Sequence, residues 1–269
     1  MKPGIYENVP EEQYHASPGI SKHALDLIAL NPMKYMHALN EPREPSPAMK
    51  AGSLLHCMVL EPDQVEKKFV IAPEVNKRTK EGRAALAYFE TENAEKTVLS
   101  PAEWETAENM ANAVRDHPLA SVIFGEGGKA ELSICWNDPE TGALCRSRID
   151  WIPEGLNCLV DLKSAADASF SAFARAAKIF RYHVQDAFYC EGASQVGMAG
   201  RDRFLFVVVE NKPPYCVALY ELDAEARNTG RQLFRRDLRT YSECLKQQFW
   251  PGYPEGVRLL SLPKWENIS

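Results

Sequence analysis

The chain has no C-x-x-C pair among its seven cysteines. An odd number with scattered spacing excludes a disulfide framework and fits free thiols in a reducing compartment. No long apolar run exists, and no apolar leader pattern follows Met1. The expectation is a soluble, cytoplasmic protein with no membrane partner. Basic residues are also short: 31 Lys and Arg face 37 Asp and Glu, a net charge of −6. That argues against a broad electrostatic grip on nucleic acid and confines any such contact to local basic patches. Part of the acidic excess is what a carboxylate cluster built to hold metal would contribute. There is no internal repeat and no low-complexity tract. Gly52-Ser53 lacks the G-x-S-x-G elbow, which sets serine-nucleophile chemistry aside.

What is present is a chain of 269 residues, long enough for one large domain with its own core. Residues 1–19 read as irregular. Helices are expected from Ser21 to a break at Pro32, then to Leu39, and from 48 to 60. A proline-rich loop spans 40–47. Phe69-Val70-Ile71 reads as a short strand, Lys77–Arg83 as a basic mobile loop, and 81–93 as a helix. Ser100-Pro101-Ala102-Glu103 is a capping box with proline at the first helical position, so a helix runs from 101 to about 116. The period then changes to two: Leu132, Ile134 and Trp136 alternate with polar positions. Strands follow at 144–152 and 157–164, helices at 168–179 and 182–198, strands at 204–209 and 216–220, and a long helix from Asp223 to Gln248. This order predicts an α/β fold with a mixed central sheet flanked by helices. It is treated as a single domain over 1–269: a mainly helical part (1–127), a sheet core (128–222), and a C-terminal helix and tail (223–269).

One stretch concentrates the chemistry. Arg146-Ser147-Arg148-Ile149-Asp150-Trp151, the turn Pro153-Glu154-Gly155, and Val160-Asp161-Leu162-Lys163 form a β-hairpin pattern. Pairing centred between Gly155 and Leu156 sets Asp150 opposite Asp161. Opposed side chains have Cβ atoms about 5 Å apart, and like charges there repel. A cation between the carboxylates relieves that, and Lys163 shares the strand face of Asp161. Two carboxylates and an ammonium around a divalent ion suit phosphodiester hydrolysis. By itself a D-x-K triplet carries little, since about one copy arises by chance in a chain this long. Glu66-Lys67-Lys68 and Glu210-Asn211-Lys212 also match once glutamate is admitted. Only Asp161 follows an apolar strand start with an acid placed across a hairpin.

Other residues border this pattern. The 137–142 turn sets Glu131 opposite the stretch from Arg148 to Asp150, as a third acid at the site or an ordinary exposed strand glutamate. Arg146, Arg148 and Asp150 share a strand face, so the arginines could meet phosphates or merely balance neighbouring acids. His56 is a metal-ligand candidate or a core histidine. Gln185 and Tyr189 share a helix face, reaching the site or a helix–sheet seam. Arg227, Arg231, Arg235 and Arg239 recur every four residues, as a phosphate-tracking stripe or a solvated face with its interspersed acids.

Taken in order, these motifs resemble the RecE-type exonuclease (exonuclease VIII) nuclease domain, in the PD-(D/E)xK superfamily with lambda exonuclease and the RecB nuclease domain. The matching segments are Gly52-Ser53-Leu54-Leu55-His56 with Leu60-Glu61-Pro62, Arg146 to Asp150, Val160 to Lys163, and Gln185 with Tyr189. The resemblance implies a restriction-endonuclease-like core and 5′-to-3′ digestion of one strand of linear duplex DNA. It also implies a homo-oligomeric ring and a RecT-like single-strand annealing partner in phage-type recombination. Mg²⁺, with Mn²⁺ as a substitute, is the implied cofactor. Asp150 and Asp161 resemble the metal-binding acids, the Leu162 carbonyl an added ligand, and His56 the histidine of the RecB-like branch. Lys163 resembles the lysine that orients the attacking water, and Gln185 and Tyr189 the supporting motif. The competing expectations are a Cas4-like or RecB-like nuclease of different polarity and a catalytically inactive DNA-binding or structural protein of the same fold. The Cas4-like form needs an iron–sulfur cluster held by four cysteines, which the scattered spacing here does not offer.

Overall fold

The structure, a computed structural model, describes residues 1–40, 46–76, 78–125, 127–198 and 200–261. Most of the expected 40–47 loop, Lys77 of the basic stretch, and the end of the tail lie outside these residues. The N-terminal part, expected to be irregular, holds strand β1 (Gly4–Tyr6) and helix α1 (Glu11–Ala16). The Ser21 side chain accepts from the Ala24 N–H and starts α2 (Lys22–Leu30); the chain turns at Asn31 and α3 (Pro32–Asn40) follows. Ser46 caps α4 (Pro47–Leu60) in the same way, with proline in its first turn. A short turn leads through α5 (Val65–Lys68) into β2 (Phe69–Ile71). Thr79 caps α6 (Lys80–Glu92), so the expected basic loop is already helical at Lys80. β3 (Thr97–Leu99) pairs with β2, and the Ser100–Glu103 capping box opens α7 (Pro101–Asp116), followed by α8 (Pro118–Ile123). Each such cap satisfies N–H groups that have no partner inside the helix.

The remaining elements are β4 (Gly128–Asn137), β5 (Leu144–Pro153), β6 (Cys158–Ala165), α9 (Phe170–Ile179), α10 (Tyr182–Gln195), β7 (Arg203–Glu210), β8 (Val217–Glu221) and α11 (Ala224–Gln247). Among the described residues six strands form one sheet in the order β1-β4-β5-β6-β7-β8. Within this sheet only β6 and β7 run parallel; β2 and β3, also parallel, form a separate pair. The crossover between β6 and β7 is α9 and α10, as parallel neighbours require.

Helices cover both faces of this sheet. Ile134, Trp136, Leu159, Phe204 and Phe206 pack against Leu25 of α2, Phe188 of α10 and Phe234 of α11. Val160, Leu162, Val207 and Val209 pack on the other face against Leu54 and Leu55 of α4 and Met110 and Val114 of α7. Fully burying one large apolar side chain contributes about 1.5–3 kcal/mol. The alternation reverses at one place. Leu132 and Ile149 belong to the first cluster, whereas Ala130 and Trp151, two residues along the same strands, belong to the second. Positions i and i+2 ordinarily share a face, so both strands turn over between them. The residues at the reversal are Glu131 and Asp150. Glu131 has a φ of 49° and drops out of the β4–β5 ladder, which otherwise pairs Ala130 with Trp151 and Leu132 with Ile149.

Candidate metal centre

The β5–β6 hairpin registers at Trp151 and Val160, which sets the next pair as Asp150 and Asp161. That pair does not close. The Leu162 main-chain N–H donates instead to Asp150 Oδ2, at 2.9 Å. A carboxylate thus takes the place of a strand partner, and the sheet parts between β5 and β6. Leu162 itself is fully buried in the core.

Into this opening α4 brings His56, whose helix neighbours Leu54, Leu55, Cys57 and Met58 are buried. His56 Nδ1 lies 3.5 Å from Asp150 Oδ2 and 4.0 Å from Glu131 Oε1. One ligating atom from each of His56, Glu131 and Asp150 falls within 4.8 Å of the others. The left-handed backbone at Glu131 is what aims its carboxylate here. Among the described residues this is the one grouping of three potential metal-ligating side chains, so no three cysteines come together. Burial, then the neighbouring Asp161 charge, pushes the Asp150 carboxyl up to about 7. Burial disfavours the His56 cation, but Asp150 and Glu131 outweigh it and raise the imidazole to about 9. Carboxylates crowded this way, with an imidazole at hand, are a set that a divalent cation would relieve.

Asp161 stands beside this trio rather than in it. Its Oδ1 accepts from Gln185 Nε2 in a buried contact, and its Oδ2 meets the Lys163 ammonium at 2.6 Å. Burial works against the Lys163 charge, but Asp161 and Asp150 together raise its pKa. Tyr189 packs against Phe188 and Phe204. Burial and the nearby Tyr14, Asp161 and Asp150 hold its hydroxyl well above its ordinary range, so it stays protonated. The sequence reading missed Tyr182, whose ring lies 5.2 Å from the Lys163 ammonium. Its spacing was a usable signal: Tyr182, Gln185 and Tyr189 recur at helical intervals of three and four on one face.

The expectation that Arg146 and Arg148 face phosphates meets a different placement. Both guanidinium groups lie over the Tyr14 ring of α1, at 4.8 and 4.6 Å. Arg146 donates to the Gly19 and His15 carbonyls. Arg148 donates to the Val9 carbonyl and to Ser133 Oγ, and its Nε is 3.8 Å from Glu131. The pair straps the N-terminal segment across β5, with Arg148 flanking the metal-centre glutamate. Three of the four arginines of the α11 stripe are similarly committed, and the fourth, Arg231, is exposed. Arg227 binds Asp186, Arg235 binds Asp138 and Glu191, and Arg239 binds Glu140.

The family described as "PDDEXK-like domain of unknown function" (DUF3799) matches residues 25–263. A solved structure described as a "Putative exonuclease" from Eubacterium rectale shares 16% identity over 96% of each chain, with a TM-score of 0.59, a likeness of fold alone. A second structure, SSO0001, shares 15% identity over 70% of this chain and 85% of its own. Its TM-score is 0.30, too low to bear on the argument. No curated protein matches. A sheet split between two acidic strands, flanked by helices on both faces and matched over nearly the whole chain, places this protein in the PDDEXK-like DUF3799 family.

Proposed function

We propose that the chain is a divalent-metal-dependent exodeoxyribonuclease of the RecE type, digesting linear duplex DNA from its ends in the 5′-to-3′ direction. One observation carries the reading: His56, Glu131 and Asp150 converge within 4.8 Å beside the Asp161–Lys163 ion pair. A scaffold protein has no need of acids packed so closely that one of them is pushed up to about 7.

His56, Glu131 and Asp150 would hold the ion, with Asp161 adjoining. Two carboxylates suit Mg²⁺, and the added nitrogen suits Mn²⁺ as a substitute. A cation held there would supply Lewis-acid charge for the scissile phosphate and a water of lowered pKa. Lys163, anchored by Asp161, donates toward the attacking water and offsets charge gathering on the phosphoryl oxygens. Gln185 fixes Asp161 so that Lys163 is aimed from a rigid base. Arg148 steadies Glu131 from the far side. A ring-shaped homo-oligomer and a RecT-like annealing partner belong to the same proposal.

The test is digestion of 5′-phosphorylated linear duplex beside closed circular duplex, with Mg²⁺ and with chelator. Metal-dependent loss of the linear form alone supports an exonuclease. Cutting of the circle points to an endonuclease of this fold. Binding without any metal-dependent loss marks a protein that kept the fold and not the chemistry.

A further inference from the structure

The corner between α9 and α10 is built in a way that the metal centre does not explain. Ile179 and Phe180 project from it, 71% and 57% exposed. Two adjoining exposed apolar side chains offer a surface that a flat ligand can cover. The corner is held firmly. Arg181 adopts a φ of 55°, a left-handed conformation that costs energy for a residue with a side chain. It is fixed by ion pairs to Asp26 and to buried Asp237. The Lys22 ammonium donates to the Phe180 carbonyl at 2.5 Å and pairs with Asp26 at 2.7 Å. Phe180 in turn stacks on Tyr182, with ring centres 5.8 Å apart and planes 29° from parallel. Tyr182 is the ring beside the Lys163 ammonium, at 5.2 Å. A continuous path therefore runs from the reactive lysine through one aromatic ring to a second that faces solvent.

Charge on the adjoining helix has one sign. The segment Phe170–Ile179 contains no acid, and Arg175 and Lys178 are exposed at a spacing of three. In a chain of net charge −6, that helix presents a local cationic face, with Asp167 before its start the acid that acts on Arg175. Flat rings with cations alongside are how proteins hold single strands without reading sequence: bases stack and phosphates pair.

We propose that this corner is a stacking platform for single-stranded DNA next to the scissile phosphate. A base lies on Phe180, and the backbone runs along Arg175 and Lys178. The proposal rests on the nuclease reading but is tested apart from it. Single-stranded DNA carrying 2-aminopurine is titrated onto the full chain in Ca²⁺, so that binding is read without turnover. The expected result is fluorescence quenching by the wild type and roughly 10-fold weaker binding for Phe180→Ala. Phe180→Trp, which restores a flat ring, should recover the wild-type affinity. Oligonucleotides abasic at the quenched position should bind both proteins alike, because no base remains to stack. An Arg175→Ala/Lys178→Ala pair should flatten the salt dependence of binding.

Equal binding by wild type and Phe180→Ala would overturn the platform, whatever the enzyme does to duplex DNA. So would a change in oligomeric size for Phe180→Ala in sedimentation, since the exposed tip would then be a contact between copies of the chain. Absence of metal-dependent cleavage by the wild type would sink the nuclease reading and leave the binding result standing.

Discussion

At the scale of single residues, Asp150 is asked to do two things. It occupies the hydrogen-bonding position of a missing strand partner, and it offers charge to a cation. Its proton, held up to about 7, and that of His56, held up to about 9, both oppose metal uptake. The sign follows directly. Above both values no proton is displaced on binding, and below them each must leave. Apparent metal affinity, measured calorimetrically, should therefore be flat above about pH 9 and fall about tenfold per unit between 9 and 7. Below 7 it should fall about a hundredfold per unit. If His56 is not a ligand, the middle segment becomes flat. Asp161→Ala should abolish metal-dependent digestion, by about a thousandfold or more. Near-wild-type digestion by that variant would remove Asp161 and Lys163 from the mechanism.

At the scale of elements, α10 lies between the sheet and α11 and is buried on most of its surface. It carries Gln185 to Asp161 and Asp186 to Arg227. Gln185→Ala should cost about 10- to 100-fold in turnover, as loss of a supporting contact around a metal site usually does. Gln185→Glu, which keeps the side chain's size, should separate that loss of turnover from the stability cost of emptying a buried position. Gly230→Ala should act on stability and leave the metal centre's own residues in place. A Cβ there would lie 1.9 Å from the His183 carbonyl oxygen, forcing α11 off α10. Overpacking costs about 1–3 kcal/mol, or roughly 2–10 °C for a chain of this size. Thermal unfolding of the variant checks it.

Much of this arrangement is legible in the chain itself. The centre of the 153–155 turn fixes Trp151 against Val160, and so brings Asp150 and Asp161 together. The 137–142 turn does the same for Asn137 with Leu144 and leaves Glu131 facing Asp150. Both are local arithmetic. The left-handed backbone at Glu131 is not legible, because nothing in Ala130-Glu131-Leu132 asks for it. It follows from two strands changing faces together. The fates of Arg146 and Arg148 are hidden for another reason. Their partners, Tyr14 and the carbonyls of Val9, His15 and Gly19, lie some 130 residues away in a stretch whose prolines mask a short strand and helix.

At the scale of the whole molecule, several arginines the sequence offers as phosphate contacts are spent on internal partners. Arg235 spans Asp138, at 1% exposure, and Glu191, tying α11 to the β4–β5 turn and to α10. Removing one partner of a buried ion pair leaves the other charge stranded, at about 3–5 kcal/mol. Arg235→Ala should therefore lower the denaturation midpoint sharply while leaving the slope of DNA affinity against salt unchanged. A shallower slope would return the α11 stripe to the list of phosphate contacts. Among the described residues no helix is long and apolar enough to cross a membrane.

The carboxylate seated on the Leu162 amide has a practical corollary for anyone seeking a dead but native protein. Alanine at position 150 would erase the charge and orphan that amide at once, inviting the two strands to zip shut and masking chemistry as misfolding. Asparagine keeps an oxygen for the amide to hold. It is the exchange to choose for trapping an uncut substrate on an undisturbed scaffold.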